Sequence, residues 1–254
     1  MADQITVVIP ARMASSRYPG KPLELIMGLP LVEHVRRRSL LAGSNLVVVA
    51  TCDTDIKEAI EKFGGKAVMT KDTHDRCTDR IEEAMENLPG DIVVMVQGDE
   101  PLLMPEAINA VAAPLLADPT LPIVNLLSPL QSKEDYENPN IVKAVCKLNG
   151  DVIFFTRASI PFFREQIRVP VYRQTGIMAF RKSGLNHFSA LPATALEKAE
   201  SVDMLRAIEH GMRIAGVVAD YPTIGVDRLS DVPLVESVLL NDEVQKELFK
   251  RITQ

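Results

Sequence analysis

Cysteine is scarce. The chain carries three, Cys52, Cys77 and Cys146, an odd number with no C-x-x-C spacing, which argues against a disulfide framework or a thiolate zinc site and for reduced thiols. Long apolar runs are missing too. None approaches the roughly 20 residues that a helix needs to cross a bilayer, and the start Met1-Ala2-Asp3-Gln4 lacks the basic stretch of a signal peptide. The cytoplasm is therefore the expected location, without membrane insertion. An excess of basic charge is also absent. Lys plus Arg number 28 against 34 Asp plus Glu, a net charge of −6, so no broad footprint for nucleic acid or an anionic membrane is expected. An anionic ligand must then be met by a local cluster of cations. Neither G-x-x-x-x-G-K-[ST] nor G-x-G-x-x-G occurs, which leaves a P-loop NTPase and a dinucleotide oxidoreductase without support.

What is present is a 254-residue chain with 46% hydrophobic and 24% charged residues, an ordinary globular composition able to bury a sizeable core. Short β-branched runs alternate with amphipathic stretches of helical length, which predicts strands over 5–10, 46–51, 66–70 and 91–97 and helices over 31–41, 55–63, 79–87 and 105–116. Gly64-Gly65 is placed to cap the second helix. Continuously apolar strands such as ITVVIP and LVVVAT need cover on both faces, so the expected class is α/β, a mostly parallel twisted sheet with helices on both sides. From about residue 122 the rhythm changes. Strand-like 123–127, 142–148 and 151–156 follow, the last two joined by the hairpin signal Asn149-Gly150, and 160–173 has the Pro, Phe and Tyr content of a projecting arm or partner surface. One helix is expected over 196–210, a strand over 214–219, and one or two helices over 232–252. The organisation predicted is a single domain over 1–254 with a strand-rich excursion at 122–190.

Chemistry concentrates after the strands. The first runs into Ala11-Arg12-Met13-Ala14-Ser15-Ser16-Arg17-Tyr18-Pro19-Gly20-Lys21, whose three cations and two serine hydroxyls suit an anion. In open α/β sheets ligands lie outside the carboxyl ends of the strands, where this loop must fall. The strand before Gln97-Gly98-Asp99 brings a carboxylate to the same edge, with a glycine that permits close backbone approach, and Ile224-Gly225-Val226-Asp227 ends in a second acid. A nucleoside triphosphate beside Asp99 and Asp227 would be repelled, by about 4 kcal/mol for unit charges about 4 Å apart at an effective dielectric of about 20. A cation must sit between them. Mg²⁺ takes one or two carboxylates plus substrate phosphates, so Asp99 and Asp227 are the expected metal ligands and Arg12 and Lys21 the groups that neutralise phosphate charge as it develops. Arg12, Lys21 and Asp99 are the expected catalytic residues. Cys77 has no histidine placed as a partner and is expected to line a pocket.

PARMASSRYPGKPL, VQGDEP, NPNIVK, FFTRASIP and IGVD occur in this order and resemble the motifs of the 3-deoxy-manno-octulosonate cytidylyltransferase (CMP-KDO synthetase) family. The resemblance implies a Rossmann-like nucleotidyltransferase fold and a Mg²⁺-dependent homodimer with its dimer contacts in the excursion. The implied reaction joins CTP to a 3-deoxy-2-ulosonic acid, giving a CMP-sugar and pyrophosphate for lipopolysaccharide synthesis. Carried over residue by residue, Arg12, Ser15 and Lys21 contact the CTP phosphates, the backbone at Pro10 and Ala11 faces cytosine, Gln97 meets the sugar, and Arg80 pairs with its carboxylate. Glu197 and Glu200 align with acids of the sugar pocket, a solvated helix face being the competing reading. Three stretches depart from the family. G-V-D-T becomes Gly225-Val226-Asp227-Arg228, although the metal-binding acid is kept. H-x-S-G-T-E-R becomes His74-Asp75-Arg76-Cys77-Thr78-Asp79-Arg80, and R-H-L-G-I-Y-x-Y becomes Arg173-Gln174-Thr175-Gly176-Ile177-Met178-Ala179-Phe180, so Gln174 and Met178 stand where a His and a Tyr normally meet the sugar. A site matched to one hydroxyl rejects analogues lacking it, and these exchanges point to a modified acceptor such as 8-amino-3,8-dideoxy-manno-octulosonate. The alternatives are another sugar nucleotidyltransferase, a CMP-sugar-acid synthetase with a different acceptor, and a nucleotide-binding sensor without turnover.

Overall fold

A computed structural model describes residues 4–14, 18–165, 169–219 and 224–254. The chain divides into two compact units, Met1–Asn109 with Pro222–Gln254, and Ala110–Tyr221. No helix among the described residues is long and apolar enough to cross a membrane.

The first unit opens with β1 (Ile5–Ala11), a single 3-10 turn at Lys21–Leu23, and the short pair β2 (Leu25–Ile26) and β3 (Leu29–Pro30). Then come α1 (Leu31–Leu40), β4 (Leu46–Thr51), α2 (Thr54–Lys62), β5 (Lys66–Met69), α3 (Cys77–Met85), β6 (Ile92–Met95) and α4 (Pro105–Ala117), the helix in which the division falls. The strands form a parallel sheet in the order β6-β1-β4-β5. Val7 pairs with Val47 on one side and Val94 on the other, and Val7, Val8 and Ile9 are fully buried. This is the near-continuous apolar character that a parallel strand covered on both faces requires. Because the strands run the same way, Ala11, Thr51, Met69 and Met95 all end at one edge. Gly64 ends α2 in the left-handed region, φ +72°, the C-terminal cap expected of it.

The second unit holds β7 (Ile123–Pro129), α5 (Lys133–Glu137), β8 (Lys143–Cys146), β9 (Val152–Thr156), β10 (Tyr172–Arg181), α6 (Lys182–Ala190), α7 (Ala195–Glu200), α8 (Met204–Glu209) and β11 (Ile214–Val218). The expected hairpin is present, with β8 and β9 antiparallel and Gly150 at φ +88° in the turn. β7 pairs in parallel with β11 and antiparallel with β10. α5 and α6 are helices that the sequence pattern does not predict, and two further differences from expectation have a visible cause. β10 is a ten-residue strand that the sequence pattern hides, because its register with β7 slips between Gln174 and Met178 and breaks the alternation of period two. The buried amide of Asn125 fills the irregularity, donating to the carbonyls of Thr175 and Ile177 at 3.4 and 3.3 Å. The single helix expected over 196–210 is two, α7 and α8. Ser201 lies at φ +52°, and its N–H bonds the carbonyl of Glu197, closing α7 early.

The chain ends in the first unit with a 3-10 turn at Leu229–Asp231, α9 (Val232–Asn241) and α10 (Glu243–Thr253). Asp242 separates the two helices by accepting from the N–H of Gln245 at 2.9 Å. Ile26, Leu31, Leu102, Val226, Val232, Val235 and Leu239 form one buried cluster. The fully buried Arg38 ties α1 to α10, donating to Gln245 Oε1 at 2.7 Å and to the carbonyl of Leu103 at 3.1 Å. Gln245 in turn donates to the carbonyl of Leu102. The segment carrying Asp99 is thus held from behind by the terminal helix.

Candidate active site

The carboxyl edge of the first unit's sheet assembles most of the residues expected there. Pro10 and Ala11 finish β1, and Gly98 follows β6 so closely that a Cβ on it would lie 2.9 Å from the carbonyl oxygen of Pro10. A side chain at position 98 would collide with backbone. After Arg12 the loop is anchored at both ends: Asp53 Oδ2 accepts from the Met13 N–H at 2.8 Å, and the N–H of Gly20, at φ +80°, returns to the Met13 carbonyl at 2.9 Å. Lys21 then enters the 3-10 turn with Pro22 behind it. Its Nζ lies 2.6 Å from Asp99 Oδ2, 3.1 Å from the carbonyl of Val226 and 3.6 Å from Asp227 Oδ1.

Two acids 128 residues apart in sequence (227 − 99 = 128) therefore meet at one ammonium group. The Val226 N–H donates to the Asp99 carbonyl at 2.9 Å, joining the two segments through backbone. Asp231 Oδ2 accepts from the N–H groups of Asp227 and Arg228, both at 2.8 Å. Burial alone would raise the Asp231 carboxyl, but those two N–H groups and the Arg228 charge outweigh it and hold it below the usual range.

A cavity of about 320 Å³ opens here, lined by Pro10, Ala11, Arg12, Lys21, Pro22, Cys77, Gln97, Gly98, Asp99 and Asp227. A smaller one of about 60 Å³ is lined by Pro10, Ala11, Arg12, His74, Asp75, Arg76, Cys77 and Arg80. Arg80 is 3% exposed. Its Nη1 donates to Thr70 Oγ1 and to the Lys71 carbonyl, while its Nη2 is buried without a hydrogen-bond partner. Gln97 Oε1 accepts from Cys77 Sγ at 3.6 Å. His74 pairs with Glu83, and that bond is the main reason the Glu83 carboxyl lies below its ordinary value.

The remaining expected residues fall outside the described residues or in the second unit. Ser15 is outside the described residues. Gln174, Met178, Glu197 and Glu200 belong to the second unit. There Gln174 donates to Asn125 Oδ1 at 2.8 Å, and Met178 is a core residue of β10. Glu197 is 2% exposed, bound by Arg206 Nε and Nη2 at 2.9 and 2.6 Å, and it completes a capping box with Thr194 at the start of α7. Glu200 accepts from Thr156 Oγ1 at 2.6 Å and from the Arg157 N–H at 2.9 Å. Neither acid sits on a solvated helix face. Among the described residues no three His, Cys, Asp or Glu side chains converge as a ready-made metal cage. Sequence reasoning passed over Asp53 and Asp231, which hold the basic loop and the Asp227 segment. The position of Asp53 just beyond an expected strand was the available signal for the first.

A parallel sheet that brings a basic loop and two acids to its carboxyl edge, with a cavity between them, belongs to a nucleotidyltransferase. Residues 6–214 match the family described as Cytidylyltransferase, and the chain belongs to that family. It is 40% identical over 244 residues to the 3-deoxy-manno-octulosonate cytidylyltransferase of Geobacter metallireducens, covering 91% of this chain and 96% of that protein. The protein of the same name from Syntrophus aciditrophicus is 42% identical over 246 residues, with coverage of 94% and 98%. A solved structure of CMP:2-keto-3-deoxy-manno-octonic acid synthetase complexed with CTP matches with a TM-score of 0.90 at 36% identity, covering 94% of this chain and 99% of that one.

Proposed function

We propose that the protein transfers the cytidylyl group of CTP to a 3-deoxy-2-ulosonic acid, KDO or a modified KDO, releasing pyrophosphate, as a Mg²⁺-dependent cytoplasmic homodimer that supplies lipopolysaccharide assembly. The observation that carries the reading is the meeting of Asp99 and Asp227 at Lys21 in a cavity floored by the backbone of Pro10 and Ala11. The names and coverage of the relatives support the acceptor.

The donors fit Mg²⁺. Two half-exposed carboxylates offer oxygen alone, and a hard divalent cation held by one or two carboxylates takes its remaining ligands from water and phosphate. When bound, the metal supplies charge neutralisation between these acids and the triphosphate. The protein's own groups do the positioning. The backbone at Pro10 and Ala11 faces the base, Arg12 and Lys21 receive the phosphates, and the Lys21 ammonium, fixed between two acids, is held in place before substrate arrives. Arg80 lines the smaller cavity and has one N–H donor unpaired, a chemistry suited to a carboxylate, and Gln97 lines the larger cavity for the sugar. The acceptor's anomeric hydroxyl displaces pyrophosphate from the α-phosphorus, with orientation and electrostatics supplying most of the rate.

The test is pyrophosphate release from CTP, UTP, ATP and GTP crossed with KDO, 8-amino-3,8-dideoxy-manno-octulosonate and other ulosonic acids. Turnover is expected with CTP and a 3-deoxy-ulosonic acid and is expected to stop in excess chelator. Turnover with a sugar phosphate and another nucleotide would replace this reading, and activity surviving chelation would remove the metal. Equal kcat/KM for KDO and its 8-amino form would leave the altered 74–80 and 173–180 stretches without a role in acceptor choice.

A further inference from the structure

Cys77 lines the site, yet the proposed reaction gives it no part. It opens α3, is partly exposed and in no disulfide, and contacts Gln97 Oε1 through Sγ. It is also in the wall of both cavities, the larger one that holds Lys21, Asp99 and Asp227 and the smaller one beside Arg80.

A second observation marks the smaller cavity as a ligand site. Arg80, three residues along the same helix and 97% buried, lines that cavity and has its Nη2 without a hydrogen-bond partner. A buried guanidinium N–H without an acceptor is destabilising unless a ligand supplies one. Arg12 and Arg76 line the same space and with Arg80 outweigh the one acid there, Asp75, so an anionic reagent is drawn towards the thiol. A group added to Sγ would take up space in the cavities that Cys77 lines, about 320 and 60 Å³.

We propose that Cys77 is a modification site, and that a mixed disulfide formed there with a low-molecular-weight disulfide closes the nucleotide cavity and stops turnover reversibly. The inference rests on the reading that this cavity takes CTP. The thiol loses its proton to water, and the thiolate attacks one sulfur of the disulfide. The new bond joins Sγ to that sulfur, the old sulfur–sulfur bond breaks, and its other half leaves as a thiolate. Cys77 is oxidised and the departing half is reduced, so an added thiol reverses the change.

The experiment treats the full chain with dithiobis(nitrobenzoate), an anionic aryl disulfide, and locates the adduct by peptide mass. The adduct at Cys77 is expected to lower pyrophosphate release at least about tenfold, and dithiothreitol to restore it. Mg²⁺ with CTP is expected to slow labelling of Cys77 but not of Cys146, whereas Mg²⁺ with GTP should do neither. In Cys77→Ser the ratio of treated to untreated activity should stay near one. Full labelling of Cys77 with undiminished turnover would overturn the inference, as would equal inhibition of Cys77→Ser. Should the untreated chain release no pyrophosphate from CTP, the functional reading falls separately. Labelling then decides alone: protection of Cys77 by CTP sustains the modification site, and indifference to CTP removes it.

Discussion

Two carboxylate clusters in this chain look alike as residue lists and differ in how they are finished. In the first unit Asp99 and Asp227 share Lys21, with side chains 30% and 49% exposed and contacts of 2.6 and 3.6 Å. In the second, Glu197 is buried, gripped by two nitrogens of Arg206 and used again to cap α7. The second arrangement is saturated: its lone pairs are spoken for, and desolvation has made the pair hard to open. The first is open, and its acids can exchange one cation for another. An acid that binds a ligand must be left this way, whereas an acid that holds a fold need not be.

The largest effect should come from the open cluster. Asp99→Asn is expected to lower kcat for pyrophosphate release by about 10²- to 10³-fold, since under the proposed reading Asp99 holds the cation that offsets phosphate charge, with a thermal unfolding midpoint near wild type. A collapse in stability with kcat per folded molecule intact would reverse the contrast. Glu197→Gln should do the opposite, removing about 3 kcal/mol or more of stability by stranding the Arg206 charge in the interior, read as a fall in the urea midpoint. If instead the midpoint held and kcat/KM for the acceptor fell, Glu197 would join the substrate side and the distinction between the clusters would fail.

A smaller effect sharpens the contrast within the first unit. His34 is fully buried, stacked on Phe249 and donating Nε2–H to the carbonyl of Ile26 at 2.8 Å. Burial, helped by the nearby Arg38 and Arg37 charges, pushes it down to about 4. The unfolded chain binds this proton near pH 6.5 and the folded chain does not. The stability tied to neutral His34 is therefore fully present above about pH 6.5 and is lost as pH falls towards 4, by about 2 to 3 kcal/mol. Urea unfolding across that window should show a steeper decline for wild type than for His34→Phe. Equal slopes would show that the ring titrates freely.

Much of the first unit was legible because its signals are local. Apolar β-branched runs predict parallel strands, and the loops after them must fall at one edge, which places Arg12, Lys21 and Asp99 together from sequence alone. Asp227 was harder, since nothing near it in sequence says that the Val226 backbone will pair with Asp99. The second unit resisted for physical reasons. β10 hides behind a register slip that Asn125 repairs from another strand, and the break between α7 and α8 rests on one residue, Ser201, in a conformation its sequence does not announce. The roles of Glu197 and Glu200 depend on Arg206, Thr156 and Arg157, partners that helical spacing cannot reveal.

The contact between Gly98 and the carbonyl of Pro10 has one more consequence. Since position 98 has no room for a side chain there, the spacing between the ends of β1 and β6 at the cavity is set by the sheet's own backbone, as on a ruler with no movable mark. Exchange of side chains around the rim can alter the chemistry of the cavity wall, but it leaves that spacing untouched.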